Sequence, residues 1–376
     1  MFPGRRARLM GGCYSSANMI TRRTFAAISL STLLLAACSK ETSSSPGGSK
    51  TDTISLNGAG ATFPYPLYSK WMSEYNSKHP NVRINYQSIG SGGGIRQITA
   101  KTVDFGASDA PMTADETTKA AGKLLHIPTT MGAVVVTYNV TGVSAPLKIA
   151  GDVLADVFLG KISKWNDPRI AADNPEVSLP DQKISVVSRS DGSGTTAVFT
   201  EYLGKVSSEF KSQVGAGKSV KWPSGLGAKG NEGVTGQVKT TPGSVGYVEL
   251  AYATQNKMPV ASVKNKAGKF VAPSIAAITA AGAGIAVPDE LHVSITDAAG
   301  EGAYPIASYT YILVYEDSPD ATKAKTLAEF LWWAIHDGQK HAEALHYAPL
   351  PDPVMKKVEA RLKTLKSAGK TLLAGS

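Results

Sequence analysis

Cysteine is nearly absent from this chain: its 376 residues contain two, Cys13 and Cys38. No internal disulfide can staple the region after residue 38, so its stability must come from core burial. Histidine is also scarce, at six residues. There is no His-x-x-x-His pair, no clustered Asp/His set and no Gly-x-Ser-x-Gly elbow, so the sequence signatures of metallohydrolases and serine hydrolases are missing. His336, His341 and His346 recur every five residues, a spacing that scatters them around a helix instead of along one face. A net charge of +9 invites a nucleic-acid reading, but residues 1–38 hold five arginines and no acid. Removing those five from the 39 basic residues leaves 34 against 30 acidic, with no basic run or aromatic-interleaved patch. Nucleic-acid binding is excluded on that ground.

Long apolar runs are missing too. The run over residues 25–37 follows Arg22-Arg23 and ends in Leu35-Ala36-Ala37-Cys38. It is too short to span a membrane, but basic, apolar and small residues in that order describe an export signal over residues 1–38. Leu-Ala-Ala-Cys resembles a bacterial lipobox, which implies cleavage before Cys38 and lipidation of its sulfur. Thr21-Arg22-Arg23-Thr24-Phe25 fits a twin-arginine or a general secretory signal equally, and Met19 is an alternative start. Residues 39–50, rich in Ser, Gly, Thr and Lys, read as a flexible tether. The expected product is exported to the periplasmic or cell-surface side and anchored to a bacterial membrane by lipid.

What is abundant is apolar residue, 42% of the chain, enough for a sizeable core and, at this length, two domains. Short strand patterns (residues 53–56, 82–86, 133–138, 184–187, 244–248 and 309–314) alternate with helical ones (65–77, 93–102, 150–159, 195–206, 321–336 and 353–365). Leu327, Phe330, Leu331, Ala334 and Ile335 form a core-facing stripe at helical spacing. Alternation of this kind predicts α/β layers with mostly parallel sheets, whose ligands bind at strand-to-helix turns.

Four such turns carry chemistry. Arg189-Ser-Asp-Gly-Ser-Gly-Thr195 runs into a helix, placing the hydroxyls of Ser193 and Thr195 at a helix N-terminus, with Arg189 able to clamp the same anion. Gly58-Ala-Gly-Ala-Thr-Phe-Pro64 offers Thr62 in a turn whose small residues permit close approach. Ser88-Ile-Gly-Ser-Gly-Gly-Gly94 repeats the design with Ser91 as the expected N-cap, and matches neither a phosphate-loop nor a dinucleotide fingerprint. Asp104-Phe-Gly-Ala-Ser-Asp-Ala-Pro111 contributes Asp109, a turn-former when taken alone. In an anion site that carboxylate could accept a proton-mediated bond from a protonated oxyanion and would repel one with no proton. Singly, each run reads as an ordinary cap or turn.

Taken in order with Leu159-Gly-Lys-Ile-Ser-Lys-Trp165, Val220-Lys-Trp-Pro223, Gly230-Asn-Glu-Gly233 and Pro242-Gly-Ser-Val-Gly-Tyr-Val248, they resemble the periplasmic substrate-binding proteins of high-affinity phosphate ABC importers. The resemblance runs from about residue 56 to about residue 365. It implies a two-lobed, type II periplasmic-binding-protein-like α/β fold, hinged, with the ligand in the interlobe cleft. Residues 51–139 and 304–376 would form lobe 1, and 140–303 lobe 2. The implied ligands of inorganic phosphate are Thr62, Phe63 (through its backbone N–H), Ser91, Asp109, Arg189, Ser193, Gly194 and Thr195, with Asp191 orienting Arg189. At Gly92 the family often has a second serine, so no hydroxyl contact is carried over there.

The resemblance further implies a monomeric binding protein, not an enzyme, without cofactor or metal. Its partners would be phosphate, the membrane permease subunits and the ATPase of the importer. Selectivity follows physically, because sulfate at neutral pH would set an unprotonated oxygen against the Asp109 carboxylate, and loss of one such bond can cost ~10⁴-fold. Arsenate is not disfavoured by this argument. A phosphatase-like enzyme of the same fold and a surface lipoprotein that has lost transport remain the alternatives.

Overall fold

A computed structural model describes residues 53–373 other than 144. The export signal, the Cys38 lipobox and the tether expected over residues 1–50 lie outside these described residues. Eight strands make the main sheet: β1 (Ile54–Gly60), β2 (Val82–Ser88), β3 (Phe105–Ser108), β4 (Leu124–Asn139), β5 (Ser185–Arg189), β6 (Leu226–Ala228), β7 (Ser244–Glu249) and β8 (Ala307–Tyr315). Their order across the sheet is β2-β1-β3-β8-β4-β7-β5-β6. Edge strand β2 alternates buried and more exposed residues, whereas β4 is buried along nearly its whole length. That difference follows from sequence, since Val-Arg-Ile-Asn-Tyr alternates polarity and Ala-Val-Val-Val does not.

The expectation of mostly parallel pairing holds for four of the seven pairings in this sheet but not for its centre. β1 pairs in parallel with β2 and β3, and β5 with β6 and β7. The centre is antiparallel: β8 against β3 and β4, and β4 against β7. β4 pairs with β8 over residues 124–133 and with β7 over residues 134–139, so it belongs to both halves of the sheet. It carries the chain out of the first half, and β8 brings it back. Strands that make opposite journeys across one joint must run antiparallel.

Helices cover the sheet as the apolar spacing requires. In α1 (Tyr65–Lys78) the buried stripe is Leu67, Tyr68, Trp71, Met72 and Tyr75, and Trp71 Nε1 donates to Gly338 O at 2.7 Å. In α8 (Ala321–Ile335) Leu327, Phe330, Leu331, Ala334 and Ile335 are all buried. This helix stops at His336, its C-cap; His341 lies in a 3-10 turn and His346 has φ 66°. The three histidines therefore do not share a helix. Trp165 is buried and Trp222 packs with Phe158, Phe210 and Tyr247, so the two Lys/Trp runs anchor the second half's core.

The remaining helices that matter follow the parallel strands. They are α2 (Ser91–Thr99) after β2, α3 (Ala114–Thr118) after β3, α5 (Gly194–Val206) after β5, α6 (Gly230–Thr240) after β6 and α7 (Leu250–Gln255) after β7; α4 (Gly151–Phe158) packs its buried face beside α5. Every one of these turns leaves the C-terminal end of its strand, where open α/β sheets gather their ligands. Among the described residues no helix is long and apolar enough to cross a membrane.

Candidate functional site

The second half supplies a preorganised cation and a helix N-terminus. Ser193 caps α5, its hydroxyl accepting the Thr196 N–H at 3.0 Å, and Ser193, Gly194 and Thr195 are all buried. Arg189 ends β5 with its side chain 1% exposed. Asp191 grips it with two prongs, Nε to Oδ1 at 2.7 Å and Nη2 to Oδ2 at 2.6 Å, leaving Nη1 turned toward Thr195 Oγ1 at 3.4 Å. Burial opposes ionisation of Asp191, but the guanidinium and the Gly230 N–H, 3.0 Å away, outweigh it and hold the carboxyl below its usual range. Asp191 thus holds two of the three guanidinium nitrogens of Arg189. Tyr247 completes the frame, its hydroxyl accepting the Arg189 N–H at 3.1 Å and bonding to Thr196 Oγ1 at 2.7 Å.

The first half supplies hydroxyls and a carboxyl. Ser91 is the first residue of α2 and not its N-cap, which is Gly90 at φ 85°. Glycine is needed there twice over: the left-handed backbone favours it, and a Cβ would run into the Asp191 carboxylate. Released from capping, the Ser91 hydroxyl accepts the Gly194 N–H at 3.0 Å and the Asp109 N–H at 3.3 Å, and donates to Asp109 Oδ2 at 3.4 Å. Gly92 meets the other half through backbone alone, its N–H donating to Gly192 O at 2.9 Å.

Asp109 follows β3 and is buried, with Oδ1 accepting from the Thr310 hydroxyl at 2.9 Å. Burial pushes its carboxyl up to about 7, against the opposing pull of Thr310, Arg189 and Ser91. The Phe63 ring is fully buried, so only its backbone can face a ligand; its carbonyl accepts the Tyr347 hydroxyl at 2.6 Å. Thr62 is buried beside it, its carbonyl held by Tyr252 at 2.6 Å.

One residue without an expected role ties these parts together. Asn231, the second residue of α6 and fully buried, donates from Nδ2 to Thr62 Oγ1 at 2.7 Å and to Thr195 Oγ1 at 3.2 Å. Its backbone N–H also reaches Thr62 Oγ1, at 3.2 Å. The Gly230-Asn-Glu-Gly233 run was its only sequence signal. Thr310 had none, being a threonine inside a strand. Glu249 was also missed: it ends β7, is buried, caps α7 through the Ala251 N–H at 2.8 Å and has Oε2 3.1 Å from the Tyr347 hydroxyl, whose hydrogen goes to Phe63 O. Burial raises its carboxyl well above the usual carboxylate range.

Most of the expected residues fall in two hydrogen-bonded chains, while Phe63 and Ser193 adjoin them in sequence and make no side-chain bond to either. Thr62, Asn231, Thr195, Arg189 and Asp191 form one hydrogen-bonded chain, and Gly194, Ser91, Asp109 and Thr310 form another. Such a site offers one fixed guanidinium, helix N–H groups, hydroxyls and one acceptor carboxyl, a combination suited to a small oxyanion. Among the described residues, no group of three or more His, Cys, Asp or Glu side chains is placed to hold a metal.

Comparison with known proteins agrees with this geometry. The family model described as a PBP superfamily domain matches residues 42–337. A phosphate-binding protein PstS of Xylella fastidiosa (strain Temecula1) is 48% identical over 318 residues, covering 84% of this chain and 86% of its own. A high-affinity periplasmic phosphate-binding protein solved with bound phosphate superposes with a TM-score of 0.66 at 23% identity, covering 82% of this chain and 93% of that one. A Clostridium perfringens structure, described as a putative phosphate ABC transporter substrate-binding protein with bound phosphate, gives 0.59 at 17% identity, over 79% and 100% of the two chains. The fold is accordingly the two-lobed α/β arrangement of these binding proteins. With a family model over most of its length and a relative at 48% identity, the chain belongs to the PBP superfamily and, within it, to the phosphate-binding protein family.

Proposed function

We propose that this protein binds inorganic phosphate outside the cytoplasmic membrane and delivers it to the permease and ATPase of a phosphate ABC importer. The observation that carries the reading is the buried cluster in which Arg189 and the first turn of α5 meet Ser91 and Asp109 from the other half of the sheet. The phosphate ligands would be Thr62, the Phe63 N–H, Ser91, Asp109, Arg189, Ser193, Gly194 and Thr195. Lobe 1 would comprise residues 51–139 and 304–376 and lobe 2 residues 140–303, hinged where the chain leaves β4 and where it returns just before β8. Phosphate would favour the closed state by bonding to both lobes at once.

Binding would rest on neutral donors more than on countercharge. Arg189 is already paired with Asp191, so the helix N–H groups and threonine hydroxyls share the anion's charge. Asp109 would take the hydrogen of protonated phosphate. Cys38 would carry the lipid anchor after export, and the protein would act as a monomer. No side chain in the cluster pairs a nucleophile with a histidine base, which supports a carrier over a phosphatase-like enzyme. Equilibrium dialysis against radiolabelled phosphate tests the reading. Saturable binding of one phosphate per chain is expected; no retention, or release of product from a chromogenic phosphoester, would overturn it.

A further inference from the structure

We infer that Asn231 is a positioning residue that turns the Thr62 and Thr195 hydroxyls into obligate donors and so sets the site's preference for an acceptor-only ligand face. The inference rests on the phosphate reading above and deepens it. A threonine hydroxyl has two acceptor lone pairs and a single hydrogen, and can face a ligand with either. At Thr62 Oγ1 both acceptor positions are taken by one residue, through the Asn231 backbone N–H at 3.2 Å and Nδ2 at 2.7 Å. At Thr195 Oγ1 they are taken by Asn231 Nδ2 at 3.2 Å and Arg189 Nη1 at 3.4 Å. In each case the hydroxyl hydrogen is the one function left for the ligand.

The amide of Asn231 cannot reverse this by flipping. Its Oδ1 accepts the Glu249 backbone N–H at 2.9 Å, and an N–H can only donate. Both Nδ2 hydrogens are thereby aimed at the two threonines. That N–H belongs to the last residue of β7, which pairs with Val134 of β4, so the sheet fixes the anchor's direction. Asn231 is fully buried, and water does not compete for these bonds.

The arrangement also crosses the sheet. Thr62 follows β1 in the first half, whereas Asn231 and Thr195 begin α6 and α5 in the second. A ligand held there meets hydrogens from Thr62 and Thr195 and an acceptor from Asp109. Unprotonated oxygens of phosphate satisfy the first two and its hydroxyl the third. A ligand presenting a hydroxyl to the threonines would find no free lone pair.

A double-mutant cycle separates this role from simple packing. Phosphate would be titrated by calorimetry into the wild-type protein, Asn231→Ala, Thr62→Val, Thr62→Ser and the two combinations with Asn231→Ala, with thermal unfolding of each ligand-free form. Asn231→Ala is expected to weaken phosphate by about tenfold or more in the wild-type and Thr62→Ser backgrounds, where a hydroxyl remains to be aimed. In the Thr62→Val background the loss should shrink to about threefold or less, since only Thr195 remains. An equal loss in all three backgrounds, or a loss under about twofold in the wild-type background, would overturn the inference. Should Asn231→Ala not fold, Asn231→Ser takes its place. Should that fail too, Thr62→Val must bind phosphate at least about tenfold more weakly than Thr62→Ser, and equal affinities overturn the inference. A wild-type protein that binds phosphate without this coupling would defeat the inference alone; one that binds none would defeat the functional reading with it.

Discussion

The backbone N–H of Gly194 donates a 3.0 Å hydrogen bond to the hydroxyl of Ser91, joining the first turn of α5 to the first turn of α2 across the sheet. A Cβ at position 194 would lie 2.5 Å from both Ser91 Oγ and Asp109 Oδ2, closer than nonbonded atoms approach. Gly194→Ala should therefore hold the two halves apart while leaving each intact. The expected outcome is a phosphate affinity lower by about 100-fold, with the melting temperature of the ligand-free protein nearly unchanged. Calorimetry with a thermal scan checks both parts, and full affinity in the variant would contradict the contact.

Asp109 makes stability depend on pH. Its carboxyl is pushed from 3.8 up to about 7 by burial, so the folded state binds this proton more tightly than the unfolded state does. The sign follows: ligand-free stability falls as pH rises from about 4 to about 7 and then levels. Asp109→Asn removes that penalty. The variant should match wild type near pH 4 and exceed it above pH 7, by an amount on the order of a few kcal/mol. Urea unfolding across that range measures the difference, and parallel profiles would show that Asp109 does not titrate in this window.

Lys218 bridges the two halves of the sheet. Its Nζ donates to Pro111 O at 3.0 Å and to Glu116 Oε2 at 2.9 Å, while its carbonyl accepts the Ser193 N–H at 2.8 Å. Burial opposes ionisation of Glu116, yet Lys218 and the Thr113 N–H hold its carboxyl below the usual range. The ion pair is partly solvated, so its effect is modest. Lys218→Ala should speed phosphate release about threefold to tenfold and change association little. Stopped-flow fluorescence resolves the two rates; an unchanged release rate would remove the bridge from the account.

Arg189 cannot be exchanged for lysine. The guanidinium meets Asp191 with two prongs and still points Nη1 at Thr195, whereas an ammonium is a single point charge. Arg189→Lys should lower phosphate affinity by roughly tenfold to 100-fold although the formal charge is kept. Wild-type affinity in this variant would show that charge alone, and not the fork, serves the anion.

The helices α1 and α8 were legible in the sequence because their apolar stripes repeat at 3.6 residues, and the four site turns because each is a local strand-turn-helix string. The antiparallel centre was not. Which direction β8 runs against β4 depends on a return path that begins more than 160 residues away, and no local pattern records it. The partners of the site residues were hidden for the same reason: Thr310 lies 201 positions from Asp109, and Asn231 lies 169 from Thr62. Ser91 was misplaced by one residue because a glycine in left-handed geometry took the cap that a serine would ordinarily hold. Local chemistry shows in a sequence; who answers it across the fold does not.

The most direct test of the central claim is a calorimetric titration of phosphate and sulfate into the wild-type protein and Asp109→Asn at pH 8. Wild type is expected to bind phosphate at about micromolar affinity or tighter and sulfate ~10⁴-fold more weakly, with a gap that narrows in the variant chiefly because sulfate gains. Comparable affinity of wild type for the two anions, or sulfate rejection left intact by Asp109→Asn, would contradict it.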